Sequence, residues 1–329
     1  MERAVFGTRT GEVVVGYGPF RKAQEPPGGG VAFYRNDFSL SVKEPWLIPA
    51  KVEILDRAPV PNAGSCVVDW QEPDPAGFTE VFREVSGAIG AGVLEKAVPV
   101  VTERGKGMVN PDQLLSRAFG LPKSLRPYGW IGDEGGFLGA TPEVLFRYFD
   151  GRIYTMALAG TARRDEKMVF ALDEKEIREH EFVAQTLISK LSDLGMVIRK
   201  ERDILDLGKL IHFQTLIKVE LYQYEEIRTL LERLHPTPAL GSLPRTTETL
   251  AQLYEWRERL GCPEAFGAPF GLWRDADFEA LVAIRMVAWE GDEVLLPSGC
   301  GVIEESRLTN EWRELALKRS AVKDLFFGT

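Results

Sequence analysis

Two glutamates raise the first chemical question. A helical pattern runs over 173–194, and stepping by four from Glu179 reaches Val183, Leu187 and Leu191, so this acid shares the apolar, core-facing stripe. Glu176, three residues earlier, lies on the same face. The closing helix, expected over 310–326, repeats the pattern: Glu314 and Lys318 stand at i and i+4, with Val322 and Leu325 further along that side. A buried carboxylate is costly unless it is ion-paired, protonated or bound to a metal. An interior salt bridge would satisfy Glu179, and a solvated i,i+4 pair, worth about 0.2–0.5 kcal/mol, would satisfy Glu314. A third possibility has chemical content. Carboxylates from two helices, with positions left for water and substrate, are what Mg2+ accepts in place of a complete protein cage.

Other residue types are out of keeping with their surroundings. Arg285 stands inside the apolar run LVAIRMVAW, read as a strand, and calls for an anionic partner; a substrate carboxylate held by both arms of the guanidinium is a candidate. Gly299 and Gly301 in SGCG, and Gly160-Thr161 in ALAGTARR, mark plain turns or places where a ligand approaches the backbone. Glu143 follows a proline and enters a run of Val, Leu and Phe, where burial would raise its pKa toward that of a general acid. Lys96 opens the expected strand KAVPVV, where desolvation would favour the neutral amine and hence a base. Either could equally be a surface residue at a strand end.

The elements that must position these groups alternate irregularly. GEVVVGYGPF, GVAFYRNDFSLSV and KVEILDR are short β-prone segments separated by turn-formers. A helix with the stripe Phe78, Val81, Phe82, Val85 and Ile89 follows. FLGATPEVLFRYF and RIYTMALAG read as strands joined by the hairpin signal Asp150-Gly151. After the 173–194 helix come the strand KLIHFQTLIKVEL, helices over 225–233 and 247–260, and the strands EALVAIRMVAW and EVLLPSGCGVI, which meet at a Gly291-Asp292 turn. Without a strict βαβ alternation this is an α+β chain with mainly antiparallel sheets.

The totals set outer bounds. The chain has 329 residues, 44% hydrophobic and 27% charged, which suits a water-soluble globular protein with a sizeable core. No apolar run approaches the roughly 20 residues of a membrane span, and the first residues lack a signal-peptide layout, so the expected location is the cytoplasm, with no membrane partner. A formal charge of −9 argues against a nucleic-acid partner, though not against a small anion. Three scattered cysteines (Cys66, Cys262, Cys300) make neither a disulfide framework nor a zinc site. The three histidines are His180, His212 and His235.

Taken together, the segments resemble the chorismate-utilising enzyme family, which includes anthranilate, aminodeoxychorismate, isochorismate and salicylate synthases. GATPE resembles the family's GASPE, ALAGTARR its P-I-A-G-T-x-R-R, and KEIREHEFV its K-E-x-x-E-H. GAPFG, IRMVAW, SGCGVI and EWRELALK follow the C-terminal signature in order, so the resemblance covers about 90–326 and takes in all three histidines. It implies a single domain over 1–329, with a shortened β-rich part over 1–90 and the signature region over 91–326. The implied fold is a layered α/β sandwich of two large antiparallel sheets with outer helices. It further implies Glu179 and Glu314 as Mg2+ ligands, with Glu176 near the metal's water shell. Arg285 and the Gly299 backbone would hold the enolpyruvyl carboxylate of chorismate; Lys318, Gly160 and the metal would hold the ring carboxylate. Thr161 belongs to the same substrate-binding segment, and His212 matches an active-site histidine close to the ring.

Four positions separate the family's members. Aminodeoxychorismate synthases carry a nucleophilic lysine where this chain has Ala159, and anthranilate synthases carry glutamine where it has Lys96. The R-N-D of the amine-forming types is absent after the E-H motif, so no glutamine amidotransferase subunit is expected. LHPTPALGSLP resembles the isochorismate synthases, whose alanine, here Ala239, replaces a threonine of salicylate synthases. The implied reaction is a Mg2+-assisted isomerisation of chorismate to isochorismate, in which Lys96 activates a water at ring carbon 2 and Glu143 protonates the hydroxyl leaving carbon 4. A salicylate synthase, which would also eliminate pyruvate, and a catalytically weak chorismate-binding protein are the alternatives. The product's destination (menaquinone, a siderophore or salicylate) stays open. The chain departs from the family's pattern in AVPVV after Lys96, where an arginine is usual, in Gly241-Ser242, and in Cys300 for alanine.

Overall fold

The structure, a computed structural model, describes residues 1–56, 66–122 and 124–328. In chain order the strands are β1 (Arg3–Gly7), β2 (Val13–Tyr17), β3 (Arg21–Ala23), β4 (Val31–Arg35), β5 (Trp46–Ile48), β6 (Lys51–Leu55), β7 (Val67–Gln71), β8 (Val100–Met108), β9 (Arg126–Ile131) and β10 (Gly135–Thr141). They continue with β11 (Val144–Phe149), β12 (Arg152–Arg163), β13 (Gly195–Arg199), β14 (Asp203–Asp206), β15 (Leu210–Leu221), β16 (Pro269–Arg274), β17 (Asp277–Val282), β18 (Met286–Glu290) and β19 (Glu293–Gly299). The helices are α1 (Pro75–Gly90), α2 (Pro111–Ala118), α3 (Lys167–Phe170), α4 (Glu174–Leu191), α5 (Ile227–Leu234), α6 (Thr247–Arg259) and α7 (Leu308–Phe326). The last residue of the expected 51–57 strand, Arg57, lies outside the described residues.

Two large sheets form, as the sequence pattern and the family resemblance lead one to expect. One runs β6-β2-β1-β9-β10-β18-β19-β8-β7; the other runs β13-β15-β12-β11-β17-β16-β4-β5-β3, with β14 also on β15. Every strand pairing among the described residues is antiparallel. The Asp150-Gly151 hairpin between β11 and β12 has φ of 49° and 66°, the two positive values a tight primed turn needs. The main core contains residues of both sheets, including Phe6, Tyr128 and Phe137 of one and Phe33, Phe146, Phe270 and Phe278 of the other. A second apolar cluster joins Leu114 and Leu115 of α2 to Val322 and Phe326 of α7. Among the described residues no helix is long and apolar enough to cross a membrane.

Two apolar runs are not single strands, which corrects the sequence reading. FLGATPEVLFRYF is split: β10 belongs to one sheet, and after Pro142 the chain crosses to β11 in the other. Proline donates no hydrogen bond and cannot extend a central ladder, so the break falls there. EALVAIRMVAW is split too, into β17 and β18 in different sheets, so Arg285 stands in a crossing and not mid-strand. Its φ of 53° turns the backbone between the layers. The two crossings run side by side, since Val282 N donates to Glu143 O (3.1 Å) and Ala140 N to Arg285 O (3.1 Å). They therefore bring Glu143 and Arg285 to one place between the sheets. The strand expected at 96–101 starts only at Val100; Lys96 and Ala97 form isolated bridges to Leu243 and Val302.

The helices position the acids. Asp173 caps α4, its side chain accepting from Glu176 N (3.1 Å), and the buried stripe runs through Glu176, Glu179, Val183, Leu187 and Leu191. This face packs on β12 and β15. On α7, which packs on β19, the buried stripe is Glu311, Leu315, Arg319, Val322 and Phe326. It is turned by one residue from the expected one. Glu314 and Lys318 lie at its margin, with 15% and 23% of their side-chain surface exposed, and Leu325 is only partly buried.

Candidate active site

A cavity of about 700 Å³ opens where β12, β15, α4, α7 and the two inter-sheet crossings converge. Glu143, Gly160, Thr161, Glu179, His212, Ala239, Arg285, Gly299 and Lys318 all line it, together with Pro142, Leu240, Phe266 and Gly301. Glu176 and Glu314 line an adjoining cleft of about 1270 Å³ that shares Thr161 with the cavity. Lys96 is fully buried behind Glu179, to which its Nζ donates (2.9 Å to Oε1). The sequence-derived residues, spread from 96 to 318, thus form one neighbourhood.

Two backbone features make the approach of these groups possible. Gly160 has φ of 76° at a bulge in β12, where the register to β15 shifts between Ala159 and Ala162. The bulge leaves the Gly160 carbonyl to accept from His212 Nδ1 (2.8 Å), and Thr161 N donates to Glu176 Oε2 (2.8 Å). At Gly301 a Cβ would lie 2.0 Å from Glu179 Oε1 and 2.9 Å from Lys96 Cε. Only glycine lets the backbone pass the Lys96–Glu179 pair.

The cavity contains a cation without an acid. Arg285, pushed down to about 10 by burial, has no carboxylate partner among the described residues. Its guanidinium contacts His212 Nε2 at 2.5 Å. Arginine can only donate, so Nε2 is the lone-pair nitrogen and Nδ1–H is the donor to Gly160. Burial, with Arg285 and Lys318 nearby, holds the His212 pKa far below the usual imidazole range. Lys318 Nζ donates to Glu314 Oε1 (2.7 Å) and to the Gly299 carbonyl (2.8 Å). Glu143 is buried, accepts from Thr237 Oγ1 (3.1 Å), and is pushed up to about 7 by burial, against the opposing pull of Thr237, Lys96 and Lys318. It therefore keeps its proton near neutrality.

Where the cavity meets the adjoining cleft, four carboxylates from α4 and α7 gather round one ammonium. Lys175 Nζ is 2.9 Å from Glu176, 3.2 Å from Glu311 and 3.9 Å from Glu179, and Glu314 adds to the field that raises its pKa against the effect of burial. Glu176 and Glu311 are each pushed up to about 7, first by burial and then by the charges of Glu179 and Glu314 respectively. Burial would raise Glu179 too, but Lys96 and Lys175 hold it below the usual carboxylate range. Both Glu311 oxygens are buried without a hydrogen bond; the nearby Ser306 hydroxyl is directed to the Gly301 carbonyl (3.4 Å). Such an excess of buried negative charge fits a divalent cation. No set of three acidic, histidine or cysteine side chains among the described residues forms a ready cage, and Mg2+ needs none, since water and substrate complete its shell.

Sequence reasoning missed Glu311, Lys175 and Thr237. Glu311 stands three residues before Glu314 and shares its helix face, the same spacing that singled out Glu176 and Glu179, so its signal was present. The contact of Thr237 with Glu143 spans 94 residues and has no local signature.

Comparison with known proteins follows the same lines. The profile of a family described as "chorismate binding enzyme" matches residues 38–326. The chain is 33% identical over 201 residues to the salicylate biosynthesis isochorismate synthase of Pseudomonas aeruginosa, covering 57% of this chain and 41% of that protein. It is 29% identical over 249 residues to isochorismate synthase EntC of Escherichia coli, covering 71% and 61%. The chain thus spans from about two-fifths to about three-fifths of the length of these relatives. Its fold is that of MenF, the menaquinone-specific isochorismate synthase from Escherichia coli (TM-score 0.84, 21% identity, 99% of this chain and 89% of that one). It also matches anthranilate synthase component I from Streptococcus pneumoniae (TM-score 0.71, 16% identity, 93% and 83%).

Proposed function

The chain belongs to the chorismate-binding enzyme family, and on that premise we propose that it is a Mg2+-dependent isochorismate synthase acting in the cytoplasm. The observation that carries this reading is the pairing, in one cavity, of a buried guanidinium with no acid partner and a buried carboxyl that stays protonated near neutrality. The first suits a substrate carboxylate, the second a hydroxyl that must leave. Chorismate offers both.

In this reading Arg285, with the Gly299 backbone, holds the enolpyruvyl carboxylate, and Lys318 with Gly160 and Thr161 holds the ring carboxylate. His212, kept neutral and fixed in one tautomer, supports Arg285 and lies against the ring. Ala239 leaves room beside it. Glu179 and Glu314 would hold Mg2+, with Glu176 and Glu311 beside its water shell. When bound, the metal neutralises the ring carboxylate and lowers the cost of bringing a dianion into the cavity.

The chemistry needs one base and one acid. Lys96 serves as the base and takes a proton from the water whose oxygen bonds to ring carbon 2. Both ring double bonds move by one position, the bond from carbon 4 to its hydroxyl breaks, and Glu143 gives its proton to that hydroxyl, which leaves as water. One proton is gained at Lys96 and one lost at Glu143, and exchange with solvent resets both.

Incubating the purified protein with chorismate, with and without Mg2+, tests the proposal by chromatography of the products. Isochorismate that forms with Mg2+ and disappears with a chelator is the expected result. Salicylate with pyruvate would replace the proposal by a salicylate synthase. Saturable chorismate binding without any product would leave a binding protein, with Lys96 locked in its bond to Glu179.

A further inference from the structure

The connection between α5 and α6 touches both proposed proton-transfer residues. Its Leu243 pairs with the Lys96 backbone in both directions (Leu243 N to Lys96 O, 2.8 Å; Lys96 N to Leu243 O, 3.3 Å). Its Thr237 reaches Glu143. Thr237 is itself held firmly, its carbonyl accepting from Leu240 N (2.9 Å) and Gly241 N (2.7 Å) in a tight turn. Both Thr237 and Glu143 are only 3% exposed.

The direction of the Thr237–Glu143 bond follows from satisfaction of polar groups. Among the described residues the Thr237 hydroxyl has no other acceptor than Glu143 Oε1. Were the carboxyl proton on Oε1 and donated to Thr237, the hydroxyl hydrogen would be buried with nowhere to go, at a cost of about 1–3 kcal/mol. The stable arrangement has Thr237 donating to Oε1. Oε2 has no protein hydrogen bond among the described residues and is not sealed from the cavity.

We infer that Thr237 is a positioning residue: its hydroxyl holds Glu143 Oε1, so that the transferable proton resides on Oε2, the oxygen left facing the substrate cavity. The inference rests on the isochorismate-synthase reading, because it gives Glu143 the role of proton donor. Two consequences follow. The acid is preorganised, with one oxygen occupied and the other charged with a proton, so no rotation about the carboxyl is needed before transfer. The same hydroxyl donates to the ionised form after transfer, which eases release of the proton and holds the acid nearer neutrality than burial alone would.

The test compares T237V, T237S, T237A and E143Q with the parent by thermal melting, chorismate binding, and kcat and kcat/KM against pH. T237V is expected to melt close to the parent, bind chorismate normally and lose about tenfold or more in kcat. Its alkaline limb should move upward by about one pH unit, because the donor to the ionised form is gone. T237S should restore both rate and limb. If T237V does not fold, T237A is read in the same way. A merely structural role would lower the melting temperature or the rate without moving the limb, and that outcome overturns the inference. E143Q separates the two levels: if it abolishes turnover while T237V leaves rate and limb unchanged, only the positioning role falls. If E143Q retains full turnover, the role of Glu143 falls, and that of Thr237 with it.

Discussion

Glu143 holds its proton up to about pH 7 because burial outweighs the nearby lysines, and a general acid works only while protonated. The sign is therefore fixed. kcat/KM is predicted to fall as pH rises through about 7, and a rate profile flat across that range would contradict the assignment. E143Q, which keeps the shape but cannot donate, should cost about 10²–10⁴-fold in kcat and spare chorismate binding. The role proposed for Arg285 is in binding instead. R285M should raise the chorismate Kd by about 10–100-fold, the loss expected for hydrogen bonds to a charged group, measurable by calorimetry. K96A should abolish turnover yet leave Mg2+-dependent binding largely intact. Glu143 and Arg285 were legible in the sequence because a charge inside an apolar run needs a reason. Lys96 was legible as a residue, but its bond to Glu179 was not, since 83 residues separate them and no local pattern links the segment before β8 to a helix.

Elements were legible to the degree that their periodicity is local. The α4 stripe from Glu179 through Leu191 follows from helical geometry alone, and so does the Asp150-Gly151 hairpin. The change of sheet at Pro142 and at 283–285 was not legible, because an apolar run looks the same whether its halves share a sheet or lie in opposite layers. On α7 the deepest acid is Glu311, not Glu314; the two stand three residues apart, about 60° round the helix, so the sequence marks the acidic face but not which of its acids lies deepest. A prediction at this scale concerns the strand end after β19. G301A places a methyl against Glu179 Oε1 and Lys96 Cε. Overpacking of this kind costs about 1–3 kcal/mol, so denaturant unfolding should show that loss and activity should fall sharply. An unchanged unfolding midpoint and rate would show that the pair can move aside.

Across the whole molecule, the acids of α4 and α7 repel one another with Lys175 as their shared counter-ion. Mg2+ is accordingly predicted to raise the melting temperature saturably, and the gain should vanish in a variant carrying E179Q and E314Q. A second global property comes from His235, which burial pushes down to about 3 and whose Nε2 donates to the Phe38 carbonyl (2.8 Å). Its folded pKa lies below the unfolded value, so the unfolded chain takes up the proton first, and the neutral histidine's contribution is lost as pH falls from about 6.5 toward 3. Between pH 7 and 5 this amounts to about 2 kcal/mol. H235Q should show correspondingly less acid destabilisation than the parent in melts over that range; identical pH dependence would contradict the linkage.

The central claim, that water enters at ring carbon 2 while the hydroxyl at carbon 4 leaves, is tested most directly by turnover of chorismate in 18O-labelled water with Mg2+ and mass analysis of the product. The account predicts isochorismate heavier by a single 18O, carried at carbon 2. Unlabelled isochorismate, or salicylate and pyruvate in its place, would contradict it.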